Sequence, residues 1–259
     1  MPADPGQPWP ALAQVARRRI GNIDVAVLSE ADAIALLTAA AEAAEPRLAT
    51  FCNAHSVNLA ADDHDLAAVM NGSLVLNDGI GLDLASRALY GAAFPDNLAG
   101  TDFCPRLLDA AEPLRIFLLG SEPGVANRAA DRIAARFPKH RVVGTRDGFF
   151  GEAEAAEVAG QIAASGANIL FVGMGQPRQE RWAGRYFSSI PALTICVGAW
   201  IDFTAGVVPR APDVMRRLRM EWVYRLALEP RRLMRRYLIG NPLFIARIAL
   251  QRRQVRRRR

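Results

Sequence analysis

Three short runs, Ile116-Phe117-Leu118-Leu119, Ile169-Leu170-Phe171-Val172 and Leu193-Thr194-Ile195-Cys196-Val197, are apolar at nearly every position and show no strict alternation. A strand with one wet face alternates apolar and polar residues. An unbroken apolar run instead fits a strand covered on both faces, as in a parallel sheet packed between helices. The rest of the chain supplies the covers. Residues 23–28, 48–52, 73–77, 115–119, 141–144, 168–172 and 193–197 read as strands. Residues 31–45, 56–70, 82–90, 100–111, 123–137, 152–165 and 177–187 between them read as helices. Repeated strand–helix units predict an α/β fold, a Rossmann-like and mainly parallel sheet covered by helices. With 259 residues, 51% of them hydrophobic, the chain is long enough to bury a full core.

The charge divides the chain unevenly. From Arg210 to the end there are sixteen arginines and three acids, whereas the preceding part has sixteen Lys/Arg and twenty-three Asp/Glu. The overall +6 therefore joins a body of −7 to an end of +13. Beyond residue 213 the pattern is helical only, and Pro230 and Gly240-Asn241-Pro242 punctuate it into roughly three helices. The expected organisation is a Pro-rich, disordered lead over 1–16, an α/β catalytic core over 17–210 and a basic helical appendage over 211–259. The arginines alternate with Trp222, Tyr224, Leu226, Leu233, Tyr237, Leu243, Phe244 and Ile248. A cationic, apolar-striped end suits an anionic membrane surface or a phosphate-rich ligand. Its apolar faces fit the core, lipid or a second copy, so a homo-oligomer stays open.

No charged segment followed by an apolar run opens the chain, so a signal peptide is not expected. The longest apolar stretch, 190–201, is too short to span a bilayer. Cys52, Cys104 and Cys196 are far apart and lack zinc or redox spacing, which fits buried thiols. The expected location is cytoplasmic, peripheral on the inner face of the plasma membrane.

In open α/β sheets, ligands bind beyond the carboxyl ends of the strands. Asn77-Asp78-Gly79-Ile80-Gly81 leaves one strand, and an aspartate between such glycines is placed to act as a general base. Taken alone, the position suits an N-cap or turn aspartate better. Gly173-Met174-Gly175-Gln176-Pro177-Arg178-Gln179-Glu180 leaves another, where glycines before a helix offer backbone N–H groups to an anion. Arg178 and Gln179 add side-chain donors there. A third exit, residues 198–206, contains Asp202 and runs on to Arg210; it also reads as a plain connection. Asp63-His64-Asp65 matches a metal-binding Asp-x-Asp literally, but it lies in a helical stretch and reads as a solvated face.

These segments occur in an order that resembles the WecG/TagA/CpsF family of bacterial glycosyltransferases, from about Ile23 to about Arg247. Asn53-Ala54-His55, Asn77-Asp78-Gly79-Ile80-Gly81, Gly100-Thr101-Asp102, Gly148-Phe149-Phe150, the 173–180 segment, Arg210-Ala211-Pro212 and Glu221-Trp222-Val223-Tyr224-Arg225 carry the resemblance. It implies an inverting, metal-independent transferase with no cofactor. Such an enzyme moves a sugar from a UDP-sugar donor to a polyprenyl-diphosphate-linked sugar in surface or exopolysaccharide synthesis. It implies Asp78 as base, Gln179 near the donor, and Arg225, Arg232 and Arg235 closing over the site from the appendage. Asn53, His55, Gly79, Gly81, Asp102, Gly173, Gly175, Gln176, Arg178, Asp202 and Arg210 complete the expected substrate-binding set.

Two positions depart from the family pattern. Phe51 stands where members often have threonine, unless Thr50 supplies that hydroxyl, and Asn97 stands where many have arginine. Both mark a subgroup with a different sugar, such as glucose in place of an N-acetylated one. A parallel sheet alone also admits a nucleotide-dependent oxidoreductase, but Gly-x-Gly-x-x-Gly does not follow the first strand. An arginine-rich end alone also admits nucleic acid; the acidic body and the apolar striping speak against that partner.

Overall fold

The computed structural model describes residues 9–212, 214, 215 and 221–257. In chain order the elements are β1 (Arg17–Ile20), β2 (Ile23–Ala26), α1 (Glu30–Glu42), β3 (Arg47–Cys52), α2 (Ala54–Asp62), α3 (His64–Asn71) and β4 (Leu74–Asn77). Next come α4 (Ile80–Tyr90), α5 (Gly100–Ala110), β5 (Arg115–Gly120), α6 (Val125–Arg136), β6 (Arg141–Arg146), α7 (Ala155–Ala164) and β7 (Ile169–Gly173). The chain continues through α8 (Arg178–Tyr186), β8 (Leu193–Cys196), α9 (Trp200–Ala205), α10 (Glu221–Leu228), α11 (Pro230–Met234) and α12 (Gly240–Arg257).

The expected parallel sheet is present, with six strands in the order β4-β3-β8-β7-β5-β6 and every neighbour parallel. Strands β4, β7 and β8 are buried at every residue, which is the physical counterpart of their largely apolar sequences. One face packs Leu37, Phe103, Leu107, Ile133 and Trp200 from α1, α5, α6 and α9. The other packs Val158, Ile162, Trp182 and Ala183 from α7 and α8. The chain fills one edge with β3 and β4, crosses to β5 and β6, then returns inward through β7 and β8. Connections leaving in opposite directions open a crevice at the carboxyl ends of the strands.

Several expectations need correction. The strand expected at 23–28 does not join the sheet: β2 pairs antiparallel with β1 as a separate hairpin. Its apolar residues Ile20, Ile23 and Val25 cover Val57, Leu66 and Met70 of α2 and α3. The single helix expected at 56–70 breaks at Asp63, which caps α3 by accepting the Leu66 N–H at 3.0 Å. That carboxylate also pairs with Arg181 at 2.6 Å, so the Asp63-His64-Asp65 segment is occupied with capping and a surface ion pair. Of the lead expected over 1–16, residues 1–8 lie outside the described residues. The rest is ordered: Pro10–Gln14 forms a 3-10 helix, Leu12 is buried, and the Val27 N–H bonds the Ala16 carbonyl. Proline suits that first turn, where its missing N–H costs nothing.

Gly240-Asn241-Pro242 does not interrupt the terminal helices. A π turn over Arg235–Ile239 runs straight into α12, with Pro242 in its first turn. The last helix is also built into the body. Phe244 and Ile248 are buried in the cluster of Ile20, Val57 and Leu82. Gln251 accepts the Gly21 N–H at 2.9 Å, Asn58 donates to the Gly240 carbonyl at 2.7 Å, and Arg247 pairs with Asp62 at 3.0 Å. Among the described residues, no helix is long and apolar enough to cross a membrane.

Candidate active site

The crevice is a cleft of about 440 Å³ at the exits of β3, β4, β7 and β8, walled by α4, α10 and α12. It is built first from caps. Asn53 follows β3 and caps α2: its Oδ1 accepts the N–H groups of His55 (3.0 Å) and Ser56 (3.2 Å). Ser56 Oγ returns the favour to the Asn53 N–H at 3.1 Å, a capping box. With its carbonyl committed, the Asn53 amide has only Nδ2 left, and this donates to Asp78 Oδ2 at 3.2 Å. The next exit is locked to the same place, because the Asp78 N–H bonds the Cys52 carbonyl at 2.8 Å.

Gly79 then turns the chain at φ +87°, a region that side chains disfavour, and its N–H donates to Asn97 Oδ1 at 2.8 Å. Asn97, noted in the sequence only as a departure, therefore pins the turn behind Asp78 and lines the cleft. Thr50 does not replace the hydroxyl missing at Phe51. Its Oγ1 bonds Ser73 Oγ at 2.9 Å inside the core, while Phe51 packs edge-on against Phe103.

Asp78 is half-buried at the cleft wall, and burial raises its pKa above the ordinary aspartate value. The Asn53 hydrogen bond and the charges of Arg236 and Arg225 pull it back down, and Asp102 pushes it up. A carboxylate whose pKa is raised is a stronger base than a free one, and the neighbouring cations favour its ionised form. His55 moves the other way. Burial and the nearby Arg236 cation lower it to about 4, so it is neutral at physiological pH.

The glutamines form a clip. Gln179 Oε1 accepts the N–H groups of Gly175 (3.2 Å) and Gly198 (3.0 Å), tying the exits of β7 and β8 together. Its Nε2 donates to the buried Glu180 at 2.8 Å, and Gln176 Nε2 donates to the same oxygen at 3.1 Å. Gln176 also reaches the Phe51 carbonyl at 3.2 Å, which adds the exit of β3. The N–H of Gly175 that the sequence offered to an anion is thus already taken, and Gln179 shapes the wall with the amide expected to contact the donor.

The cationic side comes from the chain's end. Arg225 on α10 lies over the Phe203 ring at 5.4 Å, and Arg210 covers the same ring at 5.5 Å. Arg210 is further held by Asp102 at 2.6 Å and the Thr101 carbonyl at 2.8 Å. Arg225 and Arg236 both line the cleft.

Of the residues picked from sequence, Asn53, His55, Asp78, Gly79, Gly81, Asp102, Gly175, Gln176, Gln179 and Arg225 are brought together there. Gly173, Arg178, Asp202, Arg210 and Arg235 are outside the cleft lining. Gly173 is buried where β7 passes the Gly198 carbonyl, and Arg178 is exposed, bonding the Phe150 carbonyl at 2.8 Å. The Asp202 carbonyl accepts the Val207 N–H at 3.0 Å. Arg235 is exposed, and the Arg232 side chain lies outside the described residues. Sequence reasoning missed Arg236 together with Phe203, Trp222 and Tyr237. The adjacent pair Arg235-Arg236 was the available signal, but both positions lie within a turn or so of Arg232 and spacing alone does not choose between them.

A profile of the Glycosyl transferase WecG/TagA/CpsF family matches residues 18–258. The chain belongs to that family. Among curated WecG/TagA/CpsF relatives, it is 36% identical over 172 residues to the N-acetylglucosaminyldiphosphoundecaprenol N-acetyl-beta-D-mannosaminyltransferase of Bacillus subtilis (strain 168). That match covers 65% of this chain and 66% of the relative. The protein of the same name from Bacillus spizizenii (strain ATCC 23059 / NRRL B-14472 / W23) is 34% identical over 169 residues, 64% of this chain and 65% of its own length. The chain thus spans just under two thirds of the curated relatives it matches.

Proposed function

We propose that this protein is a glycosyltransferase that moves a sugar from a UDP-sugar to a sugar on polyprenyl diphosphate, inverting the anomeric centre without a metal ion. The observation that carries the reading is one cleft joining a hydrogen-bonded aspartate, Asp78, to two arginines near enough to bias its ionisation. Asp78 takes the proton of the acceptor hydroxyl as that oxygen attacks the anomeric carbon. The bond from that carbon to UDP breaks, and the electron pair leaves on the diphosphate. A single base and direct displacement give inversion. Arg225 and Arg236 supply the positive charge that the departing diphosphate needs, a task that many transferases give to a divalent cation. The printed names of the relatives support an acceptor of the N-acetylglucosaminyl-diphosphoundecaprenol class.

The protein works, on this reading, at the cytoplasmic face of the membrane. Met234, Leu238 and Ile239 are exposed beside the exposed Arg231 and Arg235, an arrangement that suits an anionic lipid surface. Phe51 and Asn97 are the cleft residues expected to set the donor sugar.

The direct test assays UDP release from a panel led by UDP-N-acetylmannosamine and UDP-glucose, with N-acetylglucosaminyl or glucosyl diphosphoundecaprenol as acceptor. Turnover is expected only with a diphosphate-linked sugar as acceptor, and it is expected to persist in EDTA. Asp78→Asn is expected to lower kcat/KM by about 10²–10⁴-fold with the fold intact. A near-normal rate in that variant removes Asp78 as the base, and loss of turnover in EDTA restored by Mn²⁺ removes the arginine argument.

A further inference from the structure

The cleft is chemically two-sided. Beyond Asp78 the lining turns apolar along the line where α4 meets α12. Gly81 lies against α12: a Cβ there would stand in ordinary contact with the Phe244 ring at 3.7 Å, and Phe244 is buried as the groove's floor. On the rims, Ile80 is 40% exposed, Leu84 59% and Ile245 66%, although all three line the cleft. Ile80 and Leu84 are one helical turn apart and share a face of α4. Single exposed apolar residues are ordinary; three that converge on the mouth of a ligand cleft above an apolar floor are not.

We propose that the α4–α12 groove is a track for the first isoprene units of the acceptor's lipid carrier. The inference rests on the transferase reading above and adds that the enzyme binds the hydrocarbon itself, not only the sugar diphosphate. The occupant follows from continuity and charge. The groove shares its lining with the polar cleft, so whatever fills it has its other end near Asp78 and the arginine pair. An amphiphile whose hydrocarbon is joined through a diphosphate to a sugar has that order of groups, with the sugar hydroxyl brought to Asp78. A docked protein surface would leave the polar half without a complement.

The test uses the full chain and two N-acetylglucosaminyl diphosphates, one carrying a methyl group and one a soluble farnesyl chain below its micelle concentration. Neither detergent nor bilayer is present. UDP release is followed with the UDP-sugar that turns over best. Wild type is expected to favour the farnesyl acceptor by about ten-fold or more in kcat/KM, and the Leu84→Ser/Ile245→Ser double variant to lose most of that preference. Both positions are exposed, so the variant is expected to fold; its thermal transition is measured alongside. A wild type indifferent to the chain, or a folded variant with undiminished preference, overturns the track. Liposome co-sedimentation separates the bilayer from the track: a variant that loses liposome binding but keeps its chain preference assigns these residues to the membrane surface. UDP release with the methyl acceptor but no farnesyl preference leaves the transferase reading standing and removes only the track. No release with either acceptor, from a donor that turns over with the undecaprenyl-linked one, likewise removes the track alone; the transferase reading falls only if no UDP-sugar of the panel turns over with the undecaprenyl-linked acceptors.

Discussion

Asn53 does two jobs with one amide, and substitution can separate them. Its Oδ1 satisfies the backbone N–H groups of His55 and Ser56, while its Nδ2 holds Asp78 at 3.2 Å. Asn53→Ser keeps an N-cap acceptor of equal rank and removes the donor to Asp78. Asn53→Ala removes both. Losing the cap is worth about 1 kcal/mol, so Asn53→Ala is expected to melt about 2 °C lower, and Asn53→Ser close to wild type. The chemical effect runs differently. The hydrogen bond favours the ionised carboxylate, so its loss raises the Asp78 pKa further in both variants. A base must be ionised to act, and the acid limb of the kcat/KM profile therefore moves to higher pH in both. Calorimetry reads the first effect and pH-dependent UDP release the second. The reasoning fails if Asn53→Ser melts as low as Asn53→Ala, or if the acid limb stays put or moves to lower pH in either variant.

Other outcomes follow from the same geometry. Arg236→Gln removes a cation that lowers the Asp78 pKa, so the acid limb is expected to rise and kcat to fall by about 10²-fold. Arg235→Gln, at an exposed position, is expected to change kcat less than about three-fold, and equal effects at the two sites would refute the assignment. His55 is already neutral down to about pH 4, so His55→Asn is expected to leave the shape of the profile between pH 5 and 8 as it is. Disappearance of a limb in that window would show that the imidazole titrates in turnover. Gly173→Ala would place a Cβ 2.7 Å from the Gly198 carbonyl oxygen, and is expected to destabilise the protein by more than about 2 kcal/mol in denaturant unfolding. A wild-type midpoint would mean that the β7 and β8 exits can move apart.

How much of this could be read from the chain depended on whether the deciding contacts were local. The strands at 115–119, 168–172 and 193–197 were legible because burial on both faces leaves a mark within five residues. β1 was not, since Arg17-Arg18-Arg19-Ile20 shows one apolar residue, buried in a cluster with residues of α2, α3 and α4. Asn53 and Asp78 were legible as polar residues at strand exits, whereas the role of Gln179 depends on N–H groups of Gly175 and Gly198, the latter nineteen residues away. Arg236 and not Arg235 lines the cleft with Asp78, in a π turn that has no signature in residue spacing.

The terminal segment shows most clearly what charge counting leaves out. Sixteen arginines read as a basic appendage whose apolar faces fit the core, lipid or a second copy, and α12 carries two buried anchors, Phe244 and Ile248, in the same cluster as Val57 of α2 and Leu82 of α4. The helix that bears Asn58 and the one that leaves Gly79 are therefore held against the helix that follows Arg236. The arginine beside Asp78 precedes a helix whose apolar anchors pack on the acidic body. That packing predicts that membrane contact is not needed to bring Arg236 to the cleft. Lipid dependence in turnover would then report delivery of the acceptor, and a soluble acceptor should relieve it. Were a soluble acceptor to leave turnover still dependent on added bilayer, the wall would have to be assembled by the membrane after all, and the anchoring role given to Phe244 and Ile248 would be wrong.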